Sequence, residues 1–356
     1  MIWNKRVILS AILIIAAACF SVMRIQEAAY VKSQYTTVSV RYQSESMKGN
    51  ILKKALVRER ENGSQKLPDV TAWTQLTQAE IKNDTLGRSE RLRLILFEGD
   101  MKTTVPMSLR MGSYVYSDDK SGCVIDTNSA YRLFGTEAAV GNTLVYQNKY
   151  YYVRGVIKTI VPILILPGNA ETAYNNLEFY YQGRNREQGE ALTEEFLLQN
   201  GLMQDCVIVD GYFYGKILHT ILALPVWMLY AVVSILIMRY LWRKCRKFAP
   251  FYLILYCSIG FICIIGYGVI LYQLTGNPVY IPEKFIPTKF SDFEYFSRQG
   301  KRLKEQLQQL RYLLPNPKDV FLEQKIADVS HNIRLMLMLY ISCFISCNIF
   351  RRKPEY

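Results

Sequence analysis

The sequence predicts a multi-pass α-helical membrane protein with four spans and one large extracytoplasmic α+β domain, on three observations. Four apolar segments, 7–23, 217–238, 249–274 and 335–350, are 17, 22, 26 and 16 residues long, against the ~20 that a bilayer core requires. Basic residues gather in the short pieces around them: Lys5 and Arg6 at the start, Arg239, Arg243, Lys244, Arg246 and Lys247 between the second and third, and Arg351, Arg352 and Lys353 after the fourth. Those pieces hold ten basic residues and one acid, Glu355, whereas 26–212 carries 21 Lys and Arg against 22 Asp and Glu in a chain of net charge +13.

Short cytoplasmic loops retain Lys and Arg. The asymmetry therefore predicts a protein of the cell membrane with both termini in the cytoplasm. The predicted parts are a first span within 1–25, an extracytoplasmic α+β domain over 26–212, two spans within 213–274 joined by a basic cytoplasmic connector 239–248, a second extracytoplasmic loop 275–331, and a fourth span with a cytoplasmic tail over 332–356. Membrane orientation also explains the sequence pI of about 9.2. Nucleic acid is not an expected partner, since a nucleic-acid binder would show its basic patch on the folded domain. The first segment keeps a second reading, because a basic start, an apolar run and Ala16-Ala17-Ala18 before Cys19 also fit a cleaved signal or a lipoprotein site.

Within 26–212, Thr37-Val38-Ser39-Val40-Arg41-Tyr42 alternates like a half-buried strand, and Arg91-Leu92-Arg93-Leu94-Ile95-Leu96-Phe97 alternates before turning wholly apolar, again a strand. Gly122-Cys123-Val124-Ile125 leads into Asp126-Thr127, natural helix caps, then a helix 128–134 stopped by Gly135. Segments 143–146 and 150–157 flank Gln147-Asn148-Lys149, which predicts a hairpin. A further helix is expected over 192–199. In an oxidising exterior Cys123 and Cys206 are candidates for a disulfide; two separate thiols are the alternative, because spacing in sequence says nothing of Cα separation.

The loop 275–331 opens with Pro278, Pro282 and Pro287 among Phe285, Ile286, Phe290, Phe293, Tyr295 and Phe296, a composition suited to the membrane interface or to a loop packed on the domain. Leu303, Leu307, Leu310 and Leu314 then form one apolar helical stripe that Pro315 and Pro317 end. A partner helix or the chain's own domain would cover it. Residues 318–330 are expected to run as helix into the fourth span.

No phosphate-cradling G-x-x-x-x-G-K-[ST] loop, no G-x-S-x-G elbow and no H-E-x-x-H helix occurs in the sequence. The chain is therefore not expected to be an enzyme, and no catalytic, metal or cofactor-binding residue is assigned. His219 and His331, the only histidines, read as interfacial polar residues. The carboxylate pairs Glu98 with Asp100, Asp118 with Asp119 and Glu194 with Glu195 read as solvated surface. Few polar side chains occur within the spans, contrary to a hydrophilic path through one subunit, while Gly260, Gly266 and Gly268 suit close helix approach.

The run 123–135, Cys-Val-Ile-Asp-Thr-Asn-Ser-Ala-Tyr-Arg-Leu-Phe-Gly, followed by Ala139-Val140-Gly141-Asn142-Thr143-Leu144 and by Tyr152-Val153-Arg154-Gly155-Val156-Ile157, resembles the succession "A-x-x-L-F-G", "x-V-G-x-x-(I/L)" and "(Y/F)-x-V-x-G-V" of permease subunits in the MacB and FtsX superfamily of ABC transporters. Their order of one span, a large extracytoplasmic domain and three more spans is also the order here. The loop 275–331 is longer than the corresponding connection in the macrolide-exporter branch. The resemblance implies that the chain works as a permease subunit in export or extraction, binds no cofactor itself, and uses ATP through a separate cytoplasmic ABC ATPase subunit. A second copy or a related permease subunit, and membrane lipid, are the other implied partners. Arg239, Tyr240, Trp242, Arg243, Lys244, Arg246 and Lys247 are the docking candidates for the ATPase, although topology alone accounts for their charge. The alternative function is a membrane-anchored sensor or assembly factor without transport.

Overall fold

The computed structural model describes residues 2–349 apart from 44–46, 63–66, 170, 246–249, 278–279, 281, 283–285, 287–293, 311 and 314. It contains two compact units. One comprises Gln34–Tyr214 with Pro282–Glu323, and the other Met1–Ser33, Gly215–Ile281 and Gln324–Tyr356. The second loop, expected as a separate part, thus contributes most of its length to the unit that holds the sheet.

In chain order the elements are α1 (Ile2–Gln34), β1 (Val38–Tyr42), β2 (Met47–Lys48), α2 (Gly49–Glu61), β3 (Asp69–Asn83), β4 (Arg88–Glu98), β5 (Ser108–Gly112), β6 (Gly122–Asp126), α3 (Thr127–Phe134), β7 (Thr143–Tyr146), β8 (Lys149–Lys158), β9 (Ile163–Pro167), β10 (Ala173–Tyr174), β11 (Asn176–Tyr180), α4 (Gly189–Gln199), β12 (Cys206–Asp210), α5 (Gly211–Cys245), α6 (Pro250–Thr275), α7 (Tyr295–Leu310) and α8 (Pro317–Ile349). One mixed sheet runs β12-β1-β11-β3-β4-β9-β6-β8-β5, with β7 pairing both β3 and β8. Through the bridge Lys82↔Val145 the path β3-β4-β9-β6-β8-β7 returns to its start. Inside that ring lie Ile81, Leu92, Leu94, Cys123, Ile125, Leu144, Val156, Leu164 and Leu166, closed by Ala130 and Leu133 of α3.

Local signals explain these elements. Asp126 caps α3 by accepting from the amides of Asn128 (2.9 Å) and Ser129 (3.1 Å), and its other oxygen accepts from Ile163 N (2.9 Å). Gly135 ends the helix in the left-handed region at φ 78, where a side chain is strained. Gln147 (φ 49) and Asn148 (φ 60) make the turn between β7 and β8, the two-residue hairpin whose central residues both need positive φ. The 15-residue β3 carries no regular alternation that announces a strand. Its Thr74, Gln75, Thr77 and Gln78 break the apolar alternation, and a bulge shifts the register between Leu76 and Ala79.

In the other unit the helices that hold the four apolar segments meet. Val226 of α5, Leu271 of α6 and Met336 of α8 form a buried cluster with Phe20 and Ile25 of α1 and with Trp227, Tyr230 and Tyr340 around it. The Trp227 indole donates to Thr275 Oγ1 (2.9 Å) and the Tyr230 hydroxyl to Ile264 O (2.9 Å). A Cβ on Gly268 would lie 2.5 Å from Tyr230 Oη and one on Gly260 2.4 Å from Leu241 Cδ1, whereas Gly266 has nothing within 4 Å. Close approach thus belongs to two of the three expected glycines. His219 is buried within the protein, at 6% exposure.

Among the described residues two helices are long and apolar enough to cross a membrane, Gly211–Arg243 and Ile254–Thr275. Only 24% and 6% of their most apolar stretches are buried within the protein. A soluble core helix would hide that surface, because large exposed apolar patches mark interaction with a membrane or a partner. The expected first and fourth spans lie in α1 and α8, where several of their side chains fall outside the described residues.

Of the two alternatives for Cys123 and Cys206, the structure has separate thiols. They lie on β6 and β12, six strand positions apart in the sheet. Burial pushes the Cys123 thiol well above its ordinary pKa, so it behaves as a small apolar core residue.

Two outcomes follow for the full chain in detergent. Denatured without reductant, it should take up a thiol reagent at both Cys123 and Cys206; protection of both that reductant removes would contradict the assignment. Asp126→Ala should lower unfolding stability by about 2–4 kcal/mol, a lost cap together with the orphaned Ile163 N–H, measured by thermal unfolding.

Candidate functional site

The four strands β12, β1, β11 and β3 present two unlike faces. Val38, Val40 and Tyr42 of β1, with Leu177 and Phe179 of β11, turn to a core completed by Leu52 and Ala55 of α2 and by Phe196 and Leu197 of α4. The register Ser39↔Glu178, Arg41↔Asn176 and Asn176↔Trp73 places Ser39, Arg41, Asn176, Glu178 and Trp73 together on the opposite face. Alternation predicts that such a polar face meets water. Here it is covered: Arg41 is 2% exposed and Glu178 0%.

The cover is the first turn of α8. Asn316 Oδ1 accepts from the amide of Asp319 (2.8 Å), Pro317 opens the helix, and Lys318 and Asp319 follow, the favoured order of a polar cap and then proline. Phe321 and Leu322 are buried, Phe321 against the Tyr35 ring. Pro315 O accepts from Gln75 Nε2 (3.0 Å), and the Tyr35 hydroxyl donates to Lys318 O (2.7 Å).

Glu178 is the centre of the arrangement. One carboxylate oxygen accepts from Arg41 Nη1 (2.9 Å) and the Trp73 indole (3.3 Å). The other accepts from Thr37 Oγ1 (2.5 Å), Ser39 Oγ (2.6 Å) and Lys318 Nζ (2.5 Å). Lys318 donates also to Thr37 Oγ1 (2.9 Å) and to Thr103 O (3.1 Å), which uses all three of its protons. Arg41 donates in addition to the two oxygens of Asp319, at 3.3 and 3.4 Å. Two cations thus balance two anions, of which Arg41, Lys318 and Glu178 are buried and Asp319 is 14% exposed at its side chain.

Burial would push the Glu178 carboxyl up; Lys318 and Arg41 outweigh it and hold it below its ordinary range. Removing one member of a buried ionic pair leaves an uncompensated charge and costs about 3–5 kcal/mol. The hydroxyls of Thr37 and Ser39 and the Lys318 amine are all spent on Glu178. The chemistry of the group is that of a lock, in which only a segment bearing Lys318 and Asp319 satisfies the charges of Arg41 and Glu178.

The sequence-derived candidates fall elsewhere. Arg239, Tyr240, Trp242 and Arg243 are exposed near the end of α5. Lys244 lies in α5 with its side chain outside the described residues, as do Arg246, Lys247 and the tail residues Arg351, Arg352 and Lys353 entirely. In the second loop Phe285, Phe290 and Phe293 also lie outside the described residues, while Pro282 is buried and Phe296 is 55% exposed. Leu303, Leu307 and Leu310 of α7 are half-buried, and Gln306 on that face donates to Glu190 of α4 (3.3 Å). The chain's own domain therefore covers the stripe in part; Leu314 is outside the described residues. Among the described residues no group of three or more His, Cys, Asp or Glu could hold a metal ion.

The sequence matches no protein-family model and no curated protein. In solved structures, the α+β domain resembles the periplasmic region of MacB from Actinobacillus actinomycetemcomitans, at 14% identity and a TM-score of 0.40 over 51% of this chain and 91% of that one. It is similar also to the extracellular domain of the ABC-type transporter YknZ from Gram-positive bacteria, at 14% identity and a TM-score of 0.38 over 49% of this chain and 99% of that one.

Because the folded Glu178 pKa lies below the unfolded carboxylate value of about 4.3, the unfolded chain takes up the proton first. Its contribution to stability is complete above that value and is lost as the pH falls through the folded one. In denaturant unfolding of the full chain, Lys318→Met should cost about 3–5 kcal/mol at neutral pH. Glu178→Gln should flatten the loss of stability below pH ~4. An unchanged acid limb in Glu178→Gln would contradict the role of this carboxylate.

Proposed function

We propose that the chain is the permease subunit of an ABC transporter, with the α+β domain outside the cell and the cationic connectors inside. The observation that carries this reading is the organisation of the chain: one neutral α+β domain inserted between the first two apolar segments, while the basic residues gather in the short pieces on one side. The succession 123–135, 139–144 and 152–157 supports it, since β6, α3, β7 and β8 form in that order.

A separate cytoplasmic ATPase supplies the energy, and a second copy or a related permease subunit completes the transporter. Arg239, Tyr240, Trp242 and Arg243, exposed at the end of α5, offer the ATPase cationic and aromatic contacts, with Lys244, Arg246 and Lys247 next in the chain. ATP binding drives the cycle only by favouring one arrangement of the helices over another, because a ligand shifts states that it binds differentially. α8 is suited to carry the change outward, since one helix includes both the lock residues Lys318 and Asp319 and the fourth apolar segment.

Purified from its native membrane in mild detergent, the protein should bring down an ATPase subunit, and reversing the charges of Arg239 and Arg243 to Glu should reduce the recovery several-fold. Repeated isolation of the intact chain without any ATPase would contradict the permease reading and favour a membrane-anchored sensor or assembly factor.

A further inference from the structure

The loop 275–331 holds nine Lys and Arg, a heavy load for a short outward loop, because such cations oppose the bias that keeps Lys and Arg inside. Two of them are consumed within the protein, Lys318 on Glu178 and Lys325 on Glu27. Four others, Arg298, Lys301, Arg302 and Lys304, crowd into seven residues of α7, whose one acid is Glu305. All four are exposed. Arg298 reaches Glu294 at 3.4 Å in an ion pair open to solvent. Among the described residues no acid pairs with Lys301, Arg302 or Lys304.

The apolar stripe fixes which side of α7 carries this charge. Leu303, Leu307 and Leu310 are half-buried and Gln306 donates to Glu190 of α4, so that side is held on the domain. Arg298, Lys301 and Lys304 follow at three-residue steps along the exposed side, a row of about 9 Å at a rise of 1.5 Å per residue, and Arg302 flanks it. Phe296 in the first turn is 55% exposed, and Ile286 ahead of the helix is 51% exposed. An acidic protein or a soluble polyanion would account for the cations and leave these apolar side chains without a role. Cations beside exposed apolar and aromatic groups fit the boundary between lipid headgroups and acyl chains. Lipid is also what the exposed apolar surfaces of α5 and α6 call for.

We propose that the exposed face of α7 docks on anionic phospholipid, with Arg298, Lys301, Arg302 and Lys304 meeting the headgroup charge and Phe296 entering the acyl boundary. The contact anchors the loop 275–331 by a second means, besides the lock at Lys318 and Asp319. It rests on the embedding of the chain in lipid and not on the ATPase partnership.

The test is lysine footprinting of the full chain in nanodiscs, made of phosphatidylcholine alone or with one-third phosphatidylglycerol. The reagent is N-hydroxysuccinimidyl acetate, which is uncharged, and the readout is mass spectrometry. Discs expose both faces of the bilayer, so the outcome depends neither on orientation nor on another subunit. Acetylation of Lys301 and Lys304 should fall several-fold with phosphatidylglycerol, while Lys149, exposed at the start of β8, is unchanged; molar salt should reverse the protection. Arg298→Gln together with Arg302→Gln, both at exposed positions, should remove most of it, and Phe296→Ser should weaken it. Equal acetylation of Lys301 and Lys304 in the two discs would overturn the proposal, as would undiminished protection in either variant or protection that extends to Lys149. If inorganic polyphosphate shields both lysines in phosphatidylcholine discs and phosphatidylglycerol does not, the face belongs to a soluble polyanion and the proposal fails.

Discussion

A carboxylate with no access to water must be met by the protein at every lone pair, and Glu178 imposes that requirement on the α+β domain. Its five donors come from β1, β3, the residue preceding β1 and the first turn of α8. The sequence separation between Glu178 and Lys318 is 140 residues, so the interaction fixes long-range topology and not local structure. An apolar cover of the same shape would be as stable or more so. What the ionic version adds is discrimination: a polypeptide segment without a cation and an anion at adjacent positions leaves Arg41 or Glu178 uncompensated.

The sheet is organised around that requirement. On one side of β1 and β11 the apolar core with α2 and α4 provides burial without selectivity, and on the other the charges choose their cover. Farther along, β6 and β9 are buried on both faces, Cys123, Ile125, Leu164 and Leu166 toward the ring core and Val124, Ile163 and Ile165 toward a second one. That is why their sequences read as unbroken apolar runs. In the helical unit, specificity is modest: a buried cluster, two close glycine approaches and the Trp227 to Thr275 bond join helices whose outer surfaces remain apolar and exposed.

How far the sequence disclosed this depends on the range of the signal. The Asp126 cap, the Gly135 stop and the Gln147-Asn148 turn act within a few residues, and each element that they delimit is where the local pattern placed it. β3 escaped because its middle is polar on both faces, and α2 because only Leu52 and Ala55, besides Gly49, are buried in a strongly charged helix. The lock itself was half visible. Alternation on β1 put Ser39 and Arg41 on one face, but nothing near them in sequence announces that Lys318 and Asp319 cover that face. The cysteines were left open between a bridge and separate thiols for the same reason, since two thiols on one strand-rich domain imply nothing about the five strands between them. The apolar segments and the basic pieces were legible because composition alone carries them.

The central claim is that Glu178 and Lys318 act as one unit. A double-mutant cycle in the full chain, with Glu178→Gln and Lys318→Met made singly and together and unfolding free energy measured at neutral pH, tests it most directly. The account predicts that the double variant is more stable than the sum of the single losses by about 2–3 kcal/mol, the coupling expected of a shared buried pair. Additive losses within ~0.5 kcal/mol, the behaviour of independent sites, would contradict it.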